Sequence, residues 1–269
     1  MTMAAGFQCK NGVVICADTE MSIAGLIKYP ESKIRVYGSL GTKPVFTFAG
    51  DANFCGMCME KFAYAIRDTK TNKLSVLEAS ILNQARWFHE NYLNDEYEKE
   101  STLIMSLWWP PAKKRLLYEI SRGVVARIKG VSSCGTGSAV TRGMISELFS
   151  TQLSTQEVAL LAIYFLAEAK TYGDGVGKDS EIVILYNTGT VDYFPEHPCS
   201  PSLKEIEEDY IKLKRLLRPI LASYSDVNTS KKEFARILKD FERFVTNQRE
   251  QRRAAYDSLM ASYYHYDED

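Results

Sequence analysis

The segment TMAAGFQCKNGVVICAD, Thr2 to Asp18, decides the fold. It reads as two strands, Met3 to Cys9 and Val13 to Ala17, joined at Lys10-Asn11-Gly12. Asn-Gly is the strongest short hairpin signal, because both central residues of a type I′ turn need a positive φ. Two strands of similar length bring Asp18 back beside Thr2. Tyr29-Pro30-Glu31-Ser32 then reads as a turn, and Lys33 opens a further strand to Tyr37. If Met1 is removed, Thr2 gains a free α-amino group next to its own hydroxyl. An amine titrating near about 8 can serve as a general base for that hydroxyl. Taken singly, Thr2 is a start-codon neighbour, Asp18 a turn aspartate and Lys33 an exposed strand-end lysine; their order is what raises them to candidates.

The chain after Lys33 alternates blocks of strands and helices. A Gly-rich turn at Gly38 to Gly41 precedes a buried strand, Pro44 to Ala49, giving four strands before any helix. Asn53 to Arg67 and Leu74 to Tyr92 carry apolar residues at helical spacing. Leu103 to Trp109, Arg115 to Ile120 and Val124 to Gly130 read as strands, the first ended by Pro110-Pro111. Helical pattern returns at Val140 to Ser150 and after Ser154, where Ser154 and Glu157 form a capping box. Glu181 to Tyr186 and Val191 to Phe194 complete the set. This order suits two sheets between helix layers, though pattern alone specifies only a mixed α/β domain.

Residues 195–269 differ in composition. Pro195, Pro198 and Pro201 make a stiff linker, followed by two helices that start at the capping boxes Ser202/Glu205 and Ser230/Glu233. Their apolar stripes, including Ile206, Tyr210 and Leu213 on one and Phe234, Ile237 and Phe241 on the other, predict an α-helical hairpin. The aromatic and acidic end, Tyr263 to Asp269, reads as a disordered or docking tail.

Four motifs in order carry a resemblance. Thr-x-x-x-Gly-x-x-x-Lys-x-Gly-Val-Val-x-x-Ala-Asp from Thr2, Lys33-Ile34, Phe48-Ala49-Gly50-Asp51-Ala52 and Gly135-Thr136-Gly137-Ser138 together resemble the proteasome β-subunit family of N-terminal threonine hydrolases. The bacterial ATP-dependent proteasome-like peptidase is nearest in style. The resemblance spans about residues 2–194 and implies an α+β, four-layer αββα sandwich. It implies Thr2 as nucleophile, Lys33 and the α-amino group as proton-transfer partners, and Asp18 as the anion that holds Lys33. Gly50 matches the oxyanion donor, and Met21, Phe48 and Ala52 match the walls of a substrate pocket. Ser22 matches the residue whose backbone pairs with an extended substrate. Thr136 stands where the family has serine, Asp174 matches the family aspartate, and Gly177 replaces a serine. The helical extension has no counterpart in this family pattern.

What the resemblance implies is cleavage of peptide or unfolded protein chains within a homo-oligomeric ring, with a possible ATPase or regulatory partner. A catalytically silent subunit, or another amide chemistry such as transpeptidation, are the alternatives. No cofactor or metal is called for. Cys55-x-x-Cys58 lacks a second Cys or His pair and reads as buried helix, and Gly173 to Lys178 fails the phosphate-loop pattern at Asp179. With 269 residues and 45% hydrophobic content the chain can bury one large core plus an appendage. A net charge of −1 argues against a nucleic-acid surface. Six scattered cysteines, no basic-then-apolar leader and no apolar run long enough to span a bilayer lead to an expectation of a soluble, cytoplasmic protein.

Overall fold

A computed structural model describes residues 2–23, 27–38, 42–69, 71–92, 101–194 and 202–222. The chain divides into two units, Met1–Phe194 and Pro195–Asp269. In the first, β1 (Ala4–Gln8), β2 (Gly12–Asp18), β10 (Val131–Cys134), β11 (Ser180–Tyr186) and β12 (Val191–Tyr193) form one sheet in the order β10-β1-β2-β11-β12. The second sheet, β5-β6-β7-β8-β9, uses Ile34–Val36, Val45–Ala49, Thr102–Trp109, Lys114–Ser121 and Val124–Ile128. All pairings in both sheets are antiparallel.

The pleat of the second sheet sorts its side chains between two cores. On β7, Leu103, Met105, Leu107 and Trp109 pack outward with α1 (Ala52–Asp68) and α2 (Leu74–Tyr92), while Ile104 and Trp108 face the first sheet. Val13, Ile15 and Ala17 of β2 and Val183 and Leu185 of β11 meet them from the other side. Burial of each of the Val, Leu, Ile and Met side chains stabilises by about 1.5–3 kcal/mol. The outer face of the first sheet is covered by α3 (Thr136–Leu148) and α4 (Thr155–Tyr172), with Phe7 of β1 against Phe149 and Phe165. The arrangement is a four-layer αββα sandwich.

Several local expectations are corrected. The hairpin between β1 and β2 is present, with Cys9 N–H bonded to the Gly12 carbonyl at 2.8 Å, but neither Asn11 nor Gly12 has a positive φ. The turn is therefore not type I′. Glycine is needed at position 12 for closeness: a Cβ there would lie 2.6 Å from the Leu185 carbonyl oxygen and 2.7 Å from Thr155 Cγ2. Asn11 acts as a tie, its side chain accepting from Thr155 N–H at 2.9 Å and its carbonyl from Asn187 N–H at 3.1 Å.

Among the described residues six strands, not four, precede the first helix. β3 (Glu20–Ile23) and β4 (Ile27–Pro30) form a separate ribbon in which Glu20 pairs with Pro30, so the expected Tyr29 to Ser32 turn is partly strand. β4 has no buried face to leave a period-2 signature, and Pro30 sits at its end where no ladder donor is required. The expected strand to Gly130 stops at Ile128, and the chain crosses to the first sheet as β10. Helix α3 starts at Thr136 rather than Val140, directly after Gly135, whose φ is +86°.

Helix α4 has the expected capping box at Ser154 and Glu157. Cys55 and Cys58 are buried on α1, as the sequence suggests. In the second unit, α5 (Leu203–Ala222) starts at a capping box in which Ser202 N–H donates to Glu205 Oε2 at 2.7 Å and Glu205 N–H to Ser202 Oγ at 3.3 Å. The proline linker, the Ser230/Glu233 helix and the aromatic tail lie outside the described residues.

Candidate active site

Thr2 precedes β1, Asp18 ends β2, and Lys33 precedes β5. The β1–β2 register aligns Ala4 with Ala17, which carries Asp18 to Met3, and Asp18 N–H bonds to the Met3 carbonyl at 3.1 Å. Ser32 fixes the approach of Lys33 by donating to Glu181 Oε2 on β11 at 2.7 Å. Lys33 Nζ then donates to Thr2 Oγ1 at 2.7 Å and to Asp18 Oδ1 at 2.9 Å. Lys33 and Asp18 have no exposed surface, and Thr2 is 4% exposed.

A buried ion pair costs desolvation that only good geometry and extra hydrogen bonds offset. Asp18 has those bonds. Its Oδ1 also accepts from Met3 N–H at 2.8 Å, and its Oδ2 from Glu20 N–H and Gly177 N–H, each at 3.1 Å. Burial pushes the Lys33 ammonium below its ordinary pKa, opposed by the charge and hydrogen bond of Asp18 and by the charge of Glu20. A lysine so placed releases its proton more readily than one in water, within hydrogen-bond reach of a hydroxyl.

Gly135-Thr136-Gly137 holds the other side of Thr2. Gly137 N–H donates to the Thr2 carbonyl at 3.0 Å, and a Cβ on Gly135 would overlap that carbonyl. Thr136 is exposed, and its hydroxyl donates to the Asp174 carbonyl at 3.2 Å. Asp174 is exposed too, so the structure joins these two to each other by this bond.

Gly50 has φ +126°, and a Cβ there would overlap Ser101 Oγ. Asp51 N–H bonds that same Oγ at 3.3 Å, while the Asp51 carboxylate caps α1 through Phe54 N–H at 2.8 Å. Phe48 is buried in the helix-side core, and Met21 and Ala52 are half-buried against it, so the three residues expected to line a pocket share one apolar cluster. Ser22 is exposed on β3 opposite Lys28, and among the described residues β3 has β4 as its only strand neighbour.

Sequence reasoning missed Ser101 and Glu20. Nothing in the local sequence marks either; only the fold shows that they pack against Gly50 and Gly177.

A profile of the family described as proteasome subunit matches residues 2–185. The chain belongs to the proteasome subunit family. Among solved structures, the Anbu Gly-1 mutant from Hyphomicrobium sp. strain MC1 is similar with TM-score 0.66 at 14% identity, over 82% of this chain and 100% of the other. Anbu, the ancestral beta-subunit, from Yersinia bercovieri matches with TM-score 0.64 at 11% identity, covering 84% and 97%. The helical assembly of the Anbu complex from Pseudomonas aeruginosa gives 0.65 at 12%, covering 81% and 96%. At these identities the likeness is one of fold. Residues 1–194 are under three quarters of the chain, so such coverage extends into the second unit. The family profile itself ends before the extension, which therefore lies outside the family pattern, as the sequence reading expects. No curated protein matches the sequence significantly.

Among the described residues no helix is long and apolar enough to cross a membrane, and no group of three or more His, Cys, Asp or Glu is placed to hold a metal.

Proposed function

We propose that this chain is an N-terminal threonine hydrolase that cleaves peptide or amide bonds through an acyl-enzyme on Thr2. The observation that carries this reading is the 2.7 Å hydrogen bond from Lys33 Nζ to Thr2 Oγ1 inside a buried site. With Met1 removed, the α-amino group and Lys33 are the two amines that can accept the hydroxyl proton as Oγ1 attacks the substrate carbonyl. The Gly50 N–H serves as oxyanion donor, a role worth about 10²–10³ in rate for a single well-placed donor. The captured proton passes to the leaving amine, and water then hydrolyses the ester to regenerate Thr2.

Substrate binds as an extended strand along the open edge of β3 at Ser22, with an apolar side chain entering the cluster of Met21, Phe48 and Ala52. The substrates are peptides or unfolded chains in the cytoplasm, and copies of the chain assemble around them, with an ATPase or regulatory partner as a further component. Support for assembly comes from the Anbu complex of Pseudomonas aeruginosa, which forms a helical assembly. A catalytically silent structural subunit is the second reading, favoured by Gly177 and by the Thr136 hydroxyl that bonds to Asp174.

Intact mass after incubation with an electrophilic peptide tests the proposal. The expected product lacks Met1 and carries one adduct on Thr2. Retained Met1 in active protein, or an adduct elsewhere only, would overturn it.

A further inference from the structure

Glu20 is buried at the edge of the site with 8% of its surface exposed. Its N–H and that of Gly177 converge on the same oxygen, Asp18 Oδ2. Its carboxylate turns back toward Gly177, where any Cβ would overlap Glu20 Oε2. Glycine at position 177 leaves room for the acid of position 20, whose terminal oxygen a side chain there would have to displace. On the far side, Glu20 Oε1 lies 2.7 Å from Lys28 Nζ of β4, an ion pair without hydrogen-bond alignment, and Lys28 is half-exposed. A row of charged groups, two anions flanked by two cations, thus runs Lys33, Asp18, Glu20, Lys28 from the buried nucleophile to the surface of the ribbon.

We propose that Glu20 is a positioning residue of the Thr2 site, whose buried carboxylate, balanced by Lys28, sets the charge that Lys33 experiences. Around Lys33 stand Thr2 and Asp18 of β2 in hydrogen-bond contact, with Glu20 of β3 and Cys134 of β10 acting on it at longer electrostatic range. Those around Glu20 are Lys28 of β4 and the segment of Gly177, which bears the exposed Asp174, Lys178 and Asp179. Glu20 is an anion added to a site that already contains Asp18, and so favours the ammonium form of Lys33. Lys28 opposes it. Contacts at the surface of the β3–β4 ribbon can therefore change the readiness of Lys33 to take a proton without touching Thr2. The consequence for catalysis rests on the proposed function; the electrostatics do not.

The test is an NMR titration of Lys33 in full-length protein labelled with ¹³C-lysine, the signal being assigned with Lys33→Arg. Glu20→Gln should lower the Lys33 midpoint by about half a unit to one unit, the scale of one screened neighbouring charge. Lys28→Gln should raise it, and Glu20→Asp should stay nearer wild type than Glu20→Gln does. A structural role alone would not give opposite signs for the two partners. Should Glu20→Gln fail to fold, Lys28→Gln decides: an upward shift supports the proposal and no shift overturns it. Because the readout needs no turnover, a shift supports it even in a chain whose Thr2 proves inert. Unchanged midpoints overturn it even where Thr2 is acylated. In thermal melts, Gly177→Ser should lower Tm, and adding Glu20→Ala should recover part of the loss; a Gly177→Ser protein as stable as wild type would remove the claim that Glu20 fills that space.

Discussion

Gly135 lies so close to the Thr2 carbonyl that no side chain fits between them, and its φ of +86° admits glycine with least strain. Gly135→Ala should therefore displace Thr2 from Lys33. The expected result is a loss of about 1–3 kcal/mol in chemical denaturation together with loss of Thr2 acylation. Full acylation in Gly135→Ala would separate the turn from the site.

Lys33→Ala should reduce Thr2 acylation by about 10²- to 10⁴-fold, the usual cost of removing a positioned proton-transfer group. The fold should persist, because Asp18 keeps three backbone donors from Met3, Glu20 and Gly177. Circular dichroism and stopped-flow acylation measure the two effects separately. Near-normal rates in a folded variant would return Lys33 to a structural role.

The rate of Thr2 acylation should rise with pH on its acid side, as the reacting amine loses its proton. Burial lowers the Lys33 pKa, so the rise belongs below the ordinary lysine range. Asp18 opposes that lowering, so Asp18→Asn should move the rise to still lower pH while reducing the maximum rate through poorer positioning. A rise that stays in the ordinary lysine range would mean that burial does not tune the base.

Cys9, Cys16, Cys55, Cys58 and Cys134 are buried, and none is in a disulfide. Burial pushes the Cys9, Cys16 and Cys55 thiols up to about 12 and raises that of Cys134 as well. At neutral pH the thiolate needed for alkylation is scarce in all four. Iodoacetamide should leave all five buried cysteines unmodified in native protein and label them after denaturation. Native labelling at Cys134, paired with Ala4 at the start of β1, would show that the site opens.

Truncation after Phe194 should change oligomer size or solubility. Likeness to the Anbu structures extends past that point, and α5 carries Ile206 and Tyr210 on a half-buried face. Sedimentation of the two chains decides: equal mass and solubility would make the second unit dispensable.

The β1–β2 pairing, the two helix blocks and the Thr2, Asp18, Lys33 set were legible because alternation and order leave marks in sequence. What was not legible depends on distance in space. Gly12 looked like a turn glycine and is a packing glycine, since sequence cannot show Leu185 and Thr155 closing on it. Gly50 matches an oxyanion donor by its motif, and the sequence does not show that Ser101 crowds it in the fold. The β3–β4 ribbon left no period because β4 has no buried face. Glu20 is unmarked in the sequence, two residues after Asp18, whose role is easier to read.

Most chain ends fray, being tied on one side at best. Here β1 lies between β10 and β2, anchored at its turn by Asn11 and at its start by Gly137 and Asp18. Release of β1, the strand that Thr2 leads into, must break pairing on both flanks at once, so its free energy approaches that of unfolding the whole sheet. In hydrogen exchange the amides of β1 then belong with the slowest in the first unit. Heat would remove β1 and the rest of the sheet in one step, with no earlier stage in which that strand has peeled away from an otherwise intact protein.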